Sequence, residues 1–157
     1  MPPRPRIVGV ISDTHGLLRP EALAALKGSD VIVHAGDIGA PEILDALTGV
    51  APVTAVRGNN DRGAWTHALT DTAAVQAGAA WLYVLHDLHD IDLDPKAAGF
   101  GAVIAGHSHR PGITERDGVL YVNPGSAGPR RFTLPVAVAR LRVHGTRISG
   151  EVVLLDV

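Results

Sequence analysis

Cysteine is absent from this sequence of 157 residues, and aromatic residues make up only 4% of it. Without cysteine there can be no disulfide and no thiolate metal site, so any bound metal must be held by nitrogen and oxygen ligands. The net charge is -2. Long nucleic acid is therefore not an expected partner, because the sequence has no excess of positive charge to bind phosphates.

Long hydrophobic runs are absent as well. No apolar stretch approaches the roughly 20 residues that a membrane-spanning helix needs. The apolar run at 7–11 follows a basic start but is too short for a signal peptide. We therefore expect no membrane association and a cytoplasmic location. The length and the apolar fraction of 46% fit one globular domain over residues 1–157.

The first 60 residues alternate short apolar runs with helix signals. Strands are predicted at 6–12, 30–34 and 53–57, with helices at 20–27 and 41–47 that each begin at a proline. This order predicts parallel strands joined by crossover helices. Ligands of such sheets bind beyond the carboxyl ends of the strands.

The second half of the sequence is rich in predicted strands. These lie at 69–77, 80–86, 100–105, 112–115, 119–122, 135–143 and 147–155, with one helical turn at 95–98. Asp117-Gly118 is a strong turn signal between the fourth and fifth of them. We therefore expect an α/β protein in which two packed sheets have helices outside.

Five short motifs follow predicted strands and carry metal-ligand side chains. They are Asp13-Thr-His15, Gly36-Asp37, Gly58-Asn59-Asn60-Asp61, His86 and Gly106-His107-Ser108-His109. Together they offer three oxygen donors and four imidazoles, a mixture that suits two divalent ions of the Mn, Fe or Zn type. Two such ions about 3.5–4 Å apart are a common device for cleaving phosphate esters.

Each motif alone has an ordinary structural interpretation. Asp37 is placed to cap the helix near Pro41, and Asn59 and Asn60 are typical of a turn that tolerates positive φ. His86 by itself is more often a core or surface residue than a ligand. The metal interpretation depends on all five motifs occurring together, each directly after a predicted strand.

In this order, the motifs resemble those of the calcineurin-like metallophosphoesterase superfamily, and in particular its small bacterial and archaeal phosphodiesterase branch. The Asn123-Pro124-Gly125-Ser126 segment adds to that resemblance. The family fold is a β-sandwich of two mixed sheets flanked by helices, a four-layer αββα arrangement. The resemblance implies one metal held by Asp13, His15, Asp37 and His109, and a second held by Asp37, Asn59, His86 and His107, with Asp37 bridging.

Two positions depart from the family pattern. Many relatives have a histidine after the Gly-Asn pair that protonates the leaving group, and here Asn60 stands there. Relatives often have glycine after the fourth motif, where this sequence has Asp87. Asp61, His89 or a metal-bound water are the candidate proton donors that remain. With them, the catalytic residues implied are Asp37, Asn59, Asp61 and His107.

The resemblance implies a phosphodiesterase in which two ions, Mn favoured over Fe, Zn or Ni, supply hydroxide near neutral pH. The expected substrate is a small phosphoester, with a nucleotide as one option, and acidic leaving groups should react fastest. Arg130 and Arg131 are placed either to bind its phosphate or to form a solvated turn. The oligomeric state stays open, a homo-oligomer included.

Other functions compete with this one. The retromer scaffold subunit resembles the same small branch and binds proteins, although a scaffold is expected to lose ligands, and all seven are present here. A phosphomonoesterase or a nuclease acting on ends also fits the motifs. The absence of excess positive charge and of an acid at Asn60 argues against these two.

Overall fold

The structure is a computed structural model that describes residues 4–157. Its first sheet has five strands in the order β10-β9-β1-β2-β3. These are β1 (Arg6–Ile11), β2 (Val31–His34), β3 (Val53–Ala55), β9 (Ala137–His144) and β10 (Arg147–Leu154). Strands β1, β2 and β3 are parallel, whereas β9 runs antiparallel to both β1 and β10. The predicted parallel strands of the first 60 residues are confirmed.

The second sheet has five strands in the order β4-β5-β6-β8-β7. These are β4 (Thr72–Ala77), β5 (Ala80–Leu85), β6 (Ala102–Ile104), β7 (Gly112–Arg116) and β8 (Val119–Asn123). Strands β5, β6 and β8 are parallel, and β4 and β7 are antiparallel edge strands. Both sheets are therefore mixed, as the resemblance implied.

Apolar side chains of both sheets form the central core. Val10 and Leu141 of the first sheet are fully buried in one cluster with Leu82 and Ile104 of the second. The outer face of the first sheet is covered by α1 (Pro20–Leu26) and α2 (Pro41–Thr48). The outer face of the second sheet is covered by the 88–100 segment, which includes a 3-10 helix at Leu88–Asp90.

The structure differs from the predicted elements in a few places. The turn at 95–98 is closed by one helix-type hydrogen bond, from Ala98 N to Asp94 O at 2.9 Å, and does not extend into a longer helix. The strand predicted at 69–77 begins only at Thr72, because a 3-10 helix at Ala64–Ala68 precedes it. Asp37 does not cap α2, whose N-cap residue is Ala40. None of the helices within residues 4–157 is both long and apolar enough to cross a membrane.

Candidate metal centre

All five motifs lie just beyond strand ends, and the backbone there is unusual. Within residues 4–157, seven residues other than glycine have positive φ, and five of them belong to the motifs: Asp13, His15, Asp37, His107 and His109. Such conformations cost free energy and cluster at functional sites. The loops thus bend in the way needed to turn these side chains inward.

Asp13 is fully buried, and its two carboxylate oxygens have different surroundings. Oδ2 accepts hydrogen bonds from Ser12 Oγ at 2.6 Å and from the His107 backbone N–H at 3.1 Å. Oδ1 has no hydrogen-bond partner among the described residues and lies 3.3 Å from His109 Nε2. Burial raises the pKa of Asp13, but the contacts with His109 and Ser12 outweigh it, so the pKa is lowered and the group is ionised.

Asp37 is also buried, and Asn60 binds both of its oxygens. The Asn60 backbone N–H donates to Oδ1 at 2.9 Å and the side-chain amide donates to Oδ2 at 3.0 Å. Oδ2 also lies 3.3 Å from His86 Nε2. Burial opposes ionisation of Asp37, but these contacts hold its pKa well below the usual value. Asn60, at the position where many members of the resembled family have a histidine, therefore supports the carboxylate.

His86 has the ring orientation expected of a ligand. Its Nδ1 lies 2.7 Å from the Ala35 carbonyl oxygen, which can only accept, so Nδ1 carries the hydrogen and Nε2 presents a lone pair. Nε2 is buried and makes no hydrogen bond within the described part of the chain. Burial lowers the pKa of His86, but Asp37 more than compensates and the pKa is raised in the metal-free protein.

Two groups of side chains have ligand atoms within 4.8 Å of one another. One group contains Asp13, His15 and His109, and the other contains Asp13, Asp37 and His86. The resemblance placed Asp37 between the two metals, whereas Asp13 is the residue common to both groups. His15 Nε2 lies 3.7 Å from oxygens of both Asp13 and Asp37, which places it beside either carboxylate.

His107 and Asn59 lie at the more open side of the site. The His107 ring packs edge-on against His86 with centroids 5.2 Å apart. Both histidines and Asn59 line a cavity of about 660 Å³. All seven predicted ligands thus lie around one site, five of them in the two compact groups.

The other predicted site residues have different surroundings. The two oxygens of Asp61 accept from the backbone N–H groups of Gly39 (3.0 Å) and Gly58 (2.9 Å), which favours a role in holding loops over proton transfer. Arg130 is exposed and donates to the Val157 carbonyl oxygen. His89 is 94% exposed and pairs with Asp87.

Several supporting residues were not predicted to act at the site. Asn123 donates to Gly106 O at 3.1 Å and Ser126 donates to Asp13 O at 2.9 Å, so the Asn-Pro-Gly-Ser segment holds two ligand loops together. Thr14 bonds the buried His34. The sequence indicates this segment only through the resemblance, because pairing between distant loops leaves no local pattern in a sequence.

The donors fit divalent metal ions. Within residues 4–157, five buried side-chain atoms lack a hydrogen-bond partner, and four of them belong to predicted ligands: Asp13 Oδ1, His15 Nε2, His86 Nε2 and His109 Nδ1. Unpaired buried polar atoms are costly and rare unless something binds them. The mixed carboxylate and imidazole set matches ions of the Mn, Fe or Zn type.

Comparison with known proteins agrees with this site. The sequence profile of the calcineurin-like phosphoesterase superfamily domain matches residues 7–146. The chain belongs to this superfamily. A probable metallophosphoesterase of Methanothermobacter thermautotrophicus is 35% identical over 158 residues, covering 94% of this chain and 91% of that relative.

Two further similarities extend the comparison of this calcineurin-like phosphoesterase. A phosphodiesterase of Methanocaldococcus jannaschii is 26% identical over 75% of this chain and 82% of its own length. The structure of vacuolar protein sorting 29 from Cryptosporidium parvum has a TM-score of 0.79, with 16% identity over 97% of each chain. Membership of the superfamily indicates that the chain is a hydrolase of phosphoester bonds that uses divalent metal ions. The fold expected from the sequence is confirmed.

Proposed function

We propose that this chain is a metal-dependent phosphodiesterase that hydrolyses a small phosphodiester at two divalent ions. Three buried, unpaired ligand atoms converge in one site and carry the proposal: Asp13 Oδ1, with Nε2 of His15 at 3.7 Å and Nε2 of His86 at 3.9 Å. A purely structural site would have paired them, because buried unpaired polar atoms destabilise a fold. The superfamily membership and the phosphodiesterase relative support the same function.

The residues of the site have two kinds of role, as metal ligands and as supports of those ligands. Asp13, His15 and His109 form one ligand group, while Asp37, His86, His107 and Asn59 surround the second position. Two ions, Mn favoured, would supply an activated water near neutral pH and offset charge on the phosphate. Ser12 and Asn60 hold the carboxylates in place, and the Ala35 carbonyl holds the His86 ring.

The cavity beside His86 and His107 supports a small substrate. Its volume is about 660 Å³, which suits a ligand of roughly drug or nucleotide size. Arg62 is exposed on its wall, whereas Arg57 is paired with Asp71 at 2.7 Å. We propose that the phosphate lies at the ligand groups and that the leaving group extends into this cavity.

The first test is hydrolysis of bis-para-nitrophenyl phosphate by metal-stripped protein, with and without Mn²⁺, beside para-nitrophenyl phosphate. We expect Mn²⁺-dependent cleavage of the diester that exceeds cleavage of the monoester. The Asp37→Ala variant should fall to background, while His144→Ala, an exposed residue of the β9–β10 hairpin, should match the wild type. Preferential cleavage of the monoester would instead support a phosphomonoesterase.

A protein-binding scaffold is the second candidate. The similarity in fold to vacuolar protein sorting 29 favours it, as does an exposed apolar side chain, Phe132, at 89% exposure. Val157 is a second exposed apolar residue, at 43% exposure. Its carbonyl oxygen accepts a hydrogen bond from Arg130, two residues from Phe132 in the sequence. Protein that binds Mn²⁺ but cleaves no phosphoester would support the scaffold and contradict the phosphodiesterase.

A further inference from the structure

The Asp87 carboxylate orients His89. Asp87 is the N-cap of the 3-10 helix at Leu88–Asp90, and its Oδ1 accepts from both the backbone N–H (3.0 Å) and the ring Nδ1 (2.9 Å) of His89. The backbone N–H already donates to Oδ1, and a carboxylate oxygen can only accept. Nδ1 of His89 therefore carries a hydrogen.

The same carboxylate places His89 next to the metal centre. The second oxygen of Asp87, Oδ2, lies 3.6 Å from Nε2 of His107. One carboxyl group thus separates His89 from a predicted metal ligand. The His89 side chain is 94% exposed, so its Nε2 is accessible to a substrate and to water that can reprotonate it.

The cavity beside the metal centre is lined by residues close to His89 in the sequence. Its lining includes Asp87 and Asp90, which flank His89, together with Asn59 and Asp61 from the loop after β3. Asn60 has no acidic proton, and its amide is bonded to Asp37. A leaving group in this cavity would therefore lie beside the segment that carries His89.

We propose that His89 is the general acid for the leaving alcohol and that Asp87 is its positioning residue. This inference rests on the proposed phosphodiesterase function. As water attacks phosphorus, the bond from phosphorus to the leaving oxygen breaks and its electron pair stays on that oxygen. The oxygen takes the proton from Nε2 of the His89 imidazolium, which becomes a neutral ring with Nδ1–H donated to Asp87. Solvent then returns a proton to Nε2.

The first experiment compares leaving groups in the Mn²⁺-loaded protein. Methyl 4-nitrophenyl phosphate releases an acidic phenol that needs little protonation, whereas methyl phenyl phosphate releases a weakly acidic one. We expect His89→Gln to lower kcat/KM for the phenyl ester by about 100-fold, the usual contribution of a general acid, and to leave the nitrophenyl ester nearly unchanged. His67→Gln, an exposed histidine of the other 3-10 helix, is the matched control and should change neither.

A double variant provides a further test of the role of His89. Adding Asn60→His to the His89→Gln variant supplies an imidazole from the loop after β3 and should restore turnover of the phenyl ester. A purely structural role of His89 would not respond to that second substitution. Equal losses for both esters, or no loss for either, would overturn the role of His89 while leaving the phosphodiesterase function in place.

The second experiment needs no metal. Nitrogen-15 NMR of the metal-free protein, with the His89 signal assigned by its loss in His89→Gln, reports which ring nitrogen carries the hydrogen at high pH. We expect the Nδ1–H tautomer in the wild type and a shift toward Nε2–H in Asp87→Asn. An Nε2–H tautomer in the wild type would overturn the positioning role of Asp87. If the wild type cleaves neither ester, the proposed function fails and the role of His89 fails with it.

Discussion

At the scale of single residues, His34 shows how a buried histidine can support a site without binding metal. Thr14 Oγ1 donates its one hydrogen to the Ile38 carbonyl at 2.7 Å, so the 3.0 Å contact with His34 must be donated by His34 Nε2. Nδ1 of His34 then accepts from Gly36 N–H at 3.1 Å. Complete burial lowers the pKa of His34 to about 3, so the ring stays neutral and joins the loops of Asp13 and Asp37.

This depressed pKa predicts an acid-sensitive stability. The unfolded chain protonates His34 below its usual pKa of 6.5, whereas the folded state resists until about pH 3, so lowering the pH across that interval favours unfolding. Lowering the pH from 7 to 4.5 should decrease the unfolding free energy of the wild type. We expect this decrease to be about 2–3 kcal/mol smaller in His34→Asn. Urea unfolding with chelator present measures the difference.

The matched control for this prediction is His144→Asn. His144 is exposed, so this variant should lose as much stability between the two pH values as the wild type. Parallel losses in the wild type and in His34→Asn would show that His34 is not held neutral.

At the scale of elements, the ligand loops pack so closely that glycine is required between them. A Cβ on Gly58, in the loop after β3, would overlap the backbone nitrogen and Oδ1 of Asp37. Gly106, after β6, has a Cβ position only 2.6 Å from Asp13 Oδ2. The glycines of the Gly-Asp, Gly-Asn and Gly-His motifs thus let loops from different strands bring their ligands together.

Gly58→Ala should therefore damage both the fold and the site. We expect it to lower the unfolding free energy by about 1–3 kcal/mol through overpacking and to weaken Mn²⁺ binding by about 10-fold or more by shifting Asp37. Chemical unfolding and calorimetric titration with Mn²⁺ measure the two effects. Gly112→Ala is the control, since its Cβ would meet no described atom within 4 Å; equal behaviour of the two variants would contradict the packing argument.

At the scale of the whole molecule, the ligands come from both sheets. Asp13, His15 and Asp37 follow strands of the first sheet, whereas His86, His107 and His109 follow strands of the second. A metal bound between them would join the two sheets at one edge of the sandwich. Metal binding should therefore raise the stability of the whole fold and not only of the loops.

Mn²⁺ should consequently raise the melting temperature of metal-stripped protein. At 100 times its dissociation constant, one bound ion adds about 2.7 kcal/mol, which corresponds to roughly 5–10 °C for a domain of this size. Differential scanning calorimetry in chelator and in Mn²⁺ measures the shift. Ca²⁺ at the same concentration should produce a smaller one, because imidazole ligands favour transition metals. An equal shift with Ca²⁺, or an undiminished Mn²⁺ shift in Asp13→Asn, would contradict this metal site.

Much of the architecture was predictable because the local pattern of apolar and polar residues indicates which segments form strands and helices. The parallel β1–β3 unit follows from alternating apolar runs, prolines and glycines within the first 60 residues, and it is confirmed. The 3-10 helices at Ala64–Ala68 and Leu88–Asp90 were not predicted, because such short turns carry little sequence signal. The second of them contains His89 and has Asp87 as its N-cap, so the pairing of these two residues could not be predicted from the sequence.

The superfamily, the two-sheet fold and seven candidate ligands can be inferred from the sequence, because spaced motifs and strand periods are local properties of a chain. Which atoms meet depends on how the chain folds. In the fold, Asp13 Oδ2 accepts from Ser12 and His107, which leaves Oδ1 facing inward. Asn60 donates to Asp37, and Asp87 lies between His89 and His107. These contacts join distant loops through packing of the two sheets, and no spacing along the chain encodes them.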